Sequence, residues 1–338
     1  MAEGTEIFLG KARQLVEKGE YAAAAAAFTD FLEEEDDGTL DATKHSEVLR
    51  GRGWAYIRCS ELDSATKDYE KALGLSTNAN DPVGMADALR GLGHIQWQKG
   101  ALDPAMERLQ KALALAKKTS DKVLLGSTYI DMGNVHVSKG EFQAAIDTFH
   151  WALDLLEAAG NAREMARAFN NMGDALVKME RLEEGMNAYE RSITIGKEVG
   201  NESAVAWARS NVAECLVRLG KASKATEELE MALSEFERVG DMEGASHVYR
   251  VYGLYYTLQK EWNLAGQALK RSLLIADKFG IREMRAFANQ AIGMMLMAKG
   301  EKEESREYLE RSLEEFMDLK MPVDAEATRN ILKKTMWS

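Results

Sequence analysis

A column of small residues at a fixed interval constrains this chain more than any other feature. Ala12, Gly53, Gly93, Gly133, Gly173, Ala213, Gly253 and Gly293 are spaced by 41 residues once and by 40 thereafter. A strict period of this size belongs to repeat architectures, in which each copy is one supersecondary unit and the core grows along one axis. Twelve residues on lies a second small column: Ala24, Ala65, Ala105, Ala145, Gly185, Ala225, Ala265 and Ser305. Four further on the column is large: Phe28, Tyr69, Leu109, Phe149, Tyr189, Leu229, Leu269 and Leu309. Another four on it reads Leu32, Leu73, Leu113, Leu153, Ile193, Leu233, Leu273 and Leu313. Steps of four keep the last three columns on one helical face.

The pattern small, small, large has a packing cause. Two antiparallel helices approach closely only where side chains are short, and a bulky group fills the wider gap beside the contact. Gly inside a helix costs about 0.5–1 kcal/mol relative to Ala. Its recurrence at one register therefore implies a close approach that outweighs the cost. The spacing predicts first helices over 5–18, 42–59, 82–99, 122–139, 162–179, 202–219, 242–259 and 282–299. Second helices are predicted over 21–35, 62–77, 102–118, 142–159, 182–199, 222–239, 262–279 and 302–319, with a last helix over 323–336 covering the end.

Turn chemistry keeps the same period. Gly100, Gly140, Gly220 and Gly300 stand where first helices should end, and Gly160, Gly200, Gly240 and Gly280 where second helices should end. Gly is the usual left-handed stop after a helix. Asn161 with Glu164 reads as a capping box, and Asn201 and Asp241 as N-caps. The chain has only three prolines, at Asp81-Pro82, Asp103-Pro104 and Pro322-Val323, and each is read as a helix start.

These columns resemble the tetratricopeptide repeat, in its forty-residue variety as found in kinesin light chains, LGN-type polarity adaptors and prokaryotic regulators. The segments Leu92-Gly93, Tyr129–Gly133, Ala65–Tyr69–Ala72 and Ala145–Phe149–Ala152 carry the motif. The match runs over residues 5–319, weakest in the first copy, where Phe31 takes a small-residue position and the acidic run Glu33–Asp37 follows. The resemblance implies an all-α right-handed superhelical solenoid of eight antiparallel helix pairs plus a capping helix. The repeats would span 5–40, 41–80, 81–120, 121–160, 161–200, 201–240, 241–280 and 281–320 in a single array over 1–338. It also implies that first helices line a concave groove that holds protein or peptide partners.

On each first helix the groove stripe falls six, three and two residues before the packing Gly and one, four and five after it. Its middle is polar, with Ser127, Asp131, Asn134 and Ser138, then Arg167, Asn170, Asn171, Asp174 and Lys178, then Trp207, Ser210, Asn211, Glu214 and Arg218. Arg50, Trp54, Arg58, Arg90, His94 and Trp97 precede them, and Leu254, Leu258, Phe287, Met294 and Met297 follow. Asn134, Asn171 and Asn211 form a ladder whose carboxamides offer both donor and acceptor to an extended peptide backbone. The candidate peptide-binding set is Asn134, Arg167, Asn170, Asn171, Asp174, Lys178, Trp207, Asn211, Glu214 and Arg218. The same residues can equally be a solvated face or bonds to a neighbouring repeat. Trp54, Trp97 and Trp207 can anchor a partner or pack between repeats. The carboxylate clamp of chaperone cofactors is incomplete, because Ile130, Trp207 and Asn211 stand where cations are needed.

Several chemistries are excluded. There is no GxxxxGK[ST] or HExxH, and His45, His94, His136, His150 and His247 show no metal-ligand spacing. No catalytic set, cofactor site or metal site is expected, and the chain reads as no enzyme. A net charge of −12 disfavours nucleic acid. No apolar run approaches the ~20 residues of a membrane span. The N-terminus, with Glu3 and Glu6, lacks the apolar core of a signal peptide, and only Cys59 and Cys215 occur, so a reducing cytoplasmic setting is expected. The leading expectation is a monomeric or homodimeric interaction scaffold that takes a peptide or protein segment in its groove. Self-association into a structural assembly, with Met336 and Trp337 exposed, is the alternative, and a peptide-sensing regulator is a third.

Overall fold

The computed structural model describes residues 9–16, 19–34 and 40–337. The expectations for Glu3, Glu6 and residues 35–37 of the acidic run lie outside the described residues, as do those for the side chains of Met336 and Trp337. Every regular element among the described residues is helical. In chain order they are α1 (residues 9–16), α2 (Tyr21–Glu34), α3 (Ala42–Arg58), α4 (Leu62–Asn78), α5 (Pro82–Gln98), α6 (Leu102–Ala116), α7 (Lys122–Lys139), α8 (Phe142–Glu157) and α9 (Ala162–Lys178). Then come α10 (Leu182–Glu198), α11 (Glu202–Arg218), α12 (Ala222–Val239), α13 (Met242–Leu258), α14 (Trp262–Phe279), α15 (Arg282–Lys299), α16 (Lys302–Asp318) and α17 (Pro322–Trp337).

The chain divides into two compact units, Met1–Val135 and His136–Ser338. In the first, α1/α2, α3/α4 and α5/α6 are antiparallel pairs, and α7 follows. In the second, α8 precedes the pairs α9/α10, α11/α12, α13/α14 and α15/α16, and α17 packs on α16. Within each unit successive first helices touch: α3 with α5, α9 with α11, α11 with α13 and α13 with α15. Successive second helices do not touch among the described residues. First helices therefore crowd together on the inner side of each unit and second helices spread on the outer side.

The packing columns are where the period puts them. Each member of the second column is buried, and each member of the large column is at most 3% exposed. A Cβ built on Gly53 would meet Tyr69 at 2.9 Å, one on Gly93 would meet Leu109 at 2.8 Å, and one on Gly293 would meet Leu309 at 2.6 Å. Gly173 lies in the same way against Tyr189, and Gly253 against Leu269. In these five pairs the glycine of the first helix is thus the seat for the large residue of its own second helix. Tyr69 is held on two sides, since Gly91 of the next pair also abuts its ring. At Ser305 the hydroxyl donates to the Gly293 carbonyl at 2.7 Å, so the small column tolerates a polar member. The fourth column is only half-buried apart from Leu153.

Helix ends also follow the turn residues. All eight expected stop glycines have positive φ, from 65° to 96°. At equivalent turns Ser60, Glu180 and Lys260 hold the same left-handed conformation without glycine, with φ of 62°, 60° and 60°. Asn201 and Asp241 cap as expected, accepting from the backbone of Ala204 and Gly244. Asn161 accepts from Glu164 N at 3.1 Å, whereas the Glu164 carboxylate turns to Arg167, so the capping box is half-formed. One proline reading needs correction. α6 begins at Leu102 as its predicted range has it, but Ala101 is the N-cap, so Asp103 and Pro104 lie inside the first turn and do not start the helix. Pro is harmless there because those N–H groups have no intrahelical acceptor.

Two helical glycines should respond oppositely to alanine. Gly253→Ala drives a Cβ into Leu269 and should destabilise by roughly 1–3 kcal/mol. Gly74 has nothing within 4 Å of a built Cβ, and Gly74→Ala should stabilise by about 0.5–1 kcal/mol. Lys260→Gly should stabilise by about 1 kcal/mol through relief of left-handed strain. Urea unfolding midpoints of the three variants check the signs.

Candidate functional site

The inner face of the second unit carries most of the candidate residues, on α9 and α11. Asn134 is buried on α7 in the first unit. On α9, Arg167 is a half-buried neighbour of Glu164, at 2.6 Å. Asp174 accepts from the Tyr189 hydroxyl at 2.6 Å, which ties the inner face of the unit to the packing ring beneath. Burial pushes the Asp174 carboxyl up to about 6, against the pull of the Tyr189 hydrogen bond and Lys178. Asn211 on α11 donates to Asn170 at 3.4 Å and to Asp174 at 3.5 Å, both at the long limit of a hydrogen bond. Asn171 lies half-buried beside them.

The charged members are engaged within the chain. Glu214 accepts from Arg250 of α13 at 2.5 Å, and Arg218 donates to Glu180 at 2.6 Å. Lys178 pairs with Asp324 of α17 and lies 6.0 Å from the centroid of the Phe287 ring. Burial alone would raise the Glu214 carboxyl, but the attraction of Arg250 and its neighbours outweighs this and holds it at about 2. Burial, with Arg250 alongside, lowers His247 to about 3, so its ring is neutral at ordinary pH. Trp207 donates its ring N–H to Asp241 at 3.1 Å and stands edge-on to Phe236 at 5.2 Å, with His247 at 5.5 Å. Trp207 thus packs between its own repeat and the next.

The first unit is built alike. Arg50 pairs with Asp87, Arg90 bonds Asp87 at 2.8 Å and Asp131 at 3.1 Å, and His94 meets Asp131 at 3.1 Å. Burial would raise Asp87, but Arg90 and Arg50 prevail and lower it. His94 lies between Trp54 and Trp97, with centroids 5.6 and 5.1 Å away. Arg58 covers the Tyr21 ring at 4.8 Å.

Sequence reasoning did not single out Arg250, His247, Asp87 or Asp324. The first three sit on the stripe and follow from its register. A further signal was available: paired inner-face residues lie about one repeat apart, 37 for Arg50–Asp87, 41 for Arg90–Asp131, 38 for Arg218–Glu180 and 36 for Arg250–Glu214. Lys178–Asp324, 146 residues apart, follows no such rule. Among the described residues no group of three or more His, Cys, Asp or Glu is placed to hold a metal ion, and no helix is long and apolar enough to cross a membrane.

Family models described as tetratricopeptide repeat match residues 9–82, 84–158, 164–238 and 288–315. The chain belongs to the tetratricopeptide repeat family. Its fold is also that of several solved structures. Aspartyl phosphate phosphatase F from Bacillus subtilis is 13% identical with a TM-score of 0.68, covering 93% of this chain and 94% of its own. The Rap conjugation gene regulator of plasmid pLS20, in complex with the Phr* peptide, is 13% identical with a TM-score of 0.69 over 95% of this chain and 97% of its own. A Rap protein complexed with competence and sporulation factor is 13% identical with a TM-score of 0.65, covering 99% and 98%. A search of curated protein sequences returns no match. At these identities the likeness is one of fold, and the tetratricopeptide repeats account for it.

The raised Asp174 gives a pH test. Its folded pKa of about 6 exceeds the ordinary 3.8, so the folded state holds the proton more tightly. Stability from this group is therefore full at about pH 4 and declines as the pH rises through about 6. His247 changes stability in the opposite sense at acid pH, but equally in both proteins compared. Asp174→Asn keeps an acceptor for Tyr189 and removes the titration. Its melting temperature relative to the parent protein should climb between pH 4 and 6.5 and then level off. A difference independent of pH would refute the shift.

Proposed function

We propose that the chain is a non-catalytic interaction scaffold that grips an extended peptide or protein segment on the inner face of its second unit. The observation that carries this reading is the state of the carboxamides. Asn211 is held by two bonds of 3.4 and 3.5 Å beside Asn170 and Asn171. Such long bonds are weak, and a peptide N–H and C=O can replace them with shorter ones at little cost. The neighbouring charges, by contrast, are committed: Glu214 to Arg250, Arg218 to Glu180 and Lys178 to Asp324. They set the walls, and the Asn residues supply the grip. Arg167 and Asp174 stay at the edge of the carboxamide cluster, and Trp207 is a rigid support for it. Asn134 offers an equivalent group in the first unit.

Fold likeness adds support, because two of the similar solved structures hold a peptide or a named factor. A protein or peptide partner suits the chain better than nucleic acid, given its net charge of −12. Free Cys59 and Cys215 suit a reducing compartment such as the cytoplasm.

Selection from a phage-displayed library of twelve-residue peptides, followed by fluorescence anisotropy, tests the reading. Asn171→Ala with Asn211→Ala should weaken a selected peptide at least tenfold while the fold is retained. Affinity equal to that of the parent protein would sink it.

A further inference from the structure

The second unit closes on itself. α17 follows α16 through a turn in which Lys320 is left-handed at φ 56°, and its first turn comes back to elements at the start of the unit. Asp324 pairs with Lys178, the last residue of α9. A Cβ built on Gly140, in the turn before α8, would lie 3.4 Å from Val323 Cγ2. Lys178 also faces Phe287 of α15, and the Arg250 guanidinium of α13 lies 5.8 Å from that ring's centroid. Glu283 stands one turn before Phe287, and the elements gathered around it, with repulsion from Glu243 and Asp324 against the pull of Lys178, hold its carboxyl above its ordinary value. Side chains from α9, α13, α15 and α17 thus meet across the inner face.

Apart from the Lys178–Asp324 pair, α17 packs on α16 and α15. Among the described side chains Ala325, Thr328 and Leu332 are its buried residues, and Gln290 donates to the Thr328 hydroxyl at 2.7 Å. The Lys178–Asp324 pair is partly shielded, with side-chain exposures of 36% and 14%. A shielded pair is screened less by salt than a surface one and is worth more.

We propose that α17 is a clasp: its first turn, through Asp324 on Lys178, holds the inner groove of the second unit shut to a fixed width, and its release lets the groove open. The consequence for peptide access rests on the binding reading above. The closure does not, and it is measured without any ligand, so either idea can fail alone.

The test is hydrogen–deuterium exchange of the full-length protein, read over residues 320–332 and 136–146. Lys178→Glu and Asp324→Lys should each raise exchange in both segments at least tenfold. The double variant, with the pair reversed, should return both to within about twofold of the parent protein. This rescue separates the clasp from a local effect, because Asp324→Lys also removes an acid from a helix N-terminus and the double variant does not restore that. Lys178→Glu leaves α17 itself unaltered but also removes the contact with Phe287, which the double variant does not restore, so rescue by the double variant assigns the change to the pair. If a reversal prevents folding, Asp324→Asn replaces it, with exchange expected to rise at least threefold. Exchange equal to that of the parent protein in the single variants, or a double variant as fast as either single one, would overturn the proposal.

Discussion

The contact between a bare backbone and a large side chain one helix away underlies the whole molecule. Where Gly53 meets Tyr69, or Gly293 meets Leu309, no room exists for a further carbon. Helices that approach this closely leave no freedom in their relative rotation, so every pair presents the same stripe to the inner side. The rings do double duty. Tyr69 joins its own pair to the next through Gly91, and Tyr189 passes its hydroxyl to Asp174 on the inner surface. The interior packing and the polar face are therefore one mechanical system, and a disturbance at the ring is felt at the carboxylate.

In each unit that inner face is more self-satisfied than a bare groove. Buried charge without a partner is costly, and first helices crowd together there, so acids and bases of adjacent repeats neutralise one another. Asp87 between Arg50 and Arg90, and Glu214 beside Arg250, are the two centres. What remains adaptable is uncharged. Carboxamides lose little when their partners change, because they donate and accept with equal ease.

Most of the architecture was readable in the chain because it rests on steric requirements with a period. Gly, Ala and Ser at one register admit one kind of packing, and glycine after a helix admits one kind of stop. Ser60, Glu180 and Lys260 were not readable as stops, since their left-handed backbone is imposed by the repeat and not by their own preference. Pro104 misled for a related reason: the first turn of a helix has room for proline beyond its first position. At the site, register identified the inner-facing residues but not their commitments. Whether Lys178 is free or engaged depends on how tightly the coil winds, and that is a sum of small rotations no single residue encodes. Asp324 could not be anticipated, since a final helix read only as a cover has no reason to reach α9.

That return has a consequence for copy number. An open-ended array can gain or lose a copy and merely become longer or shorter. Here the span from Lys178 to Asp324 must subtend one set arc. Duplication or deletion of one forty-residue module inside it would carry the carboxylate a full step past the amine. The second unit is thus a counted object, in which arithmetic as well as packing is under constraint.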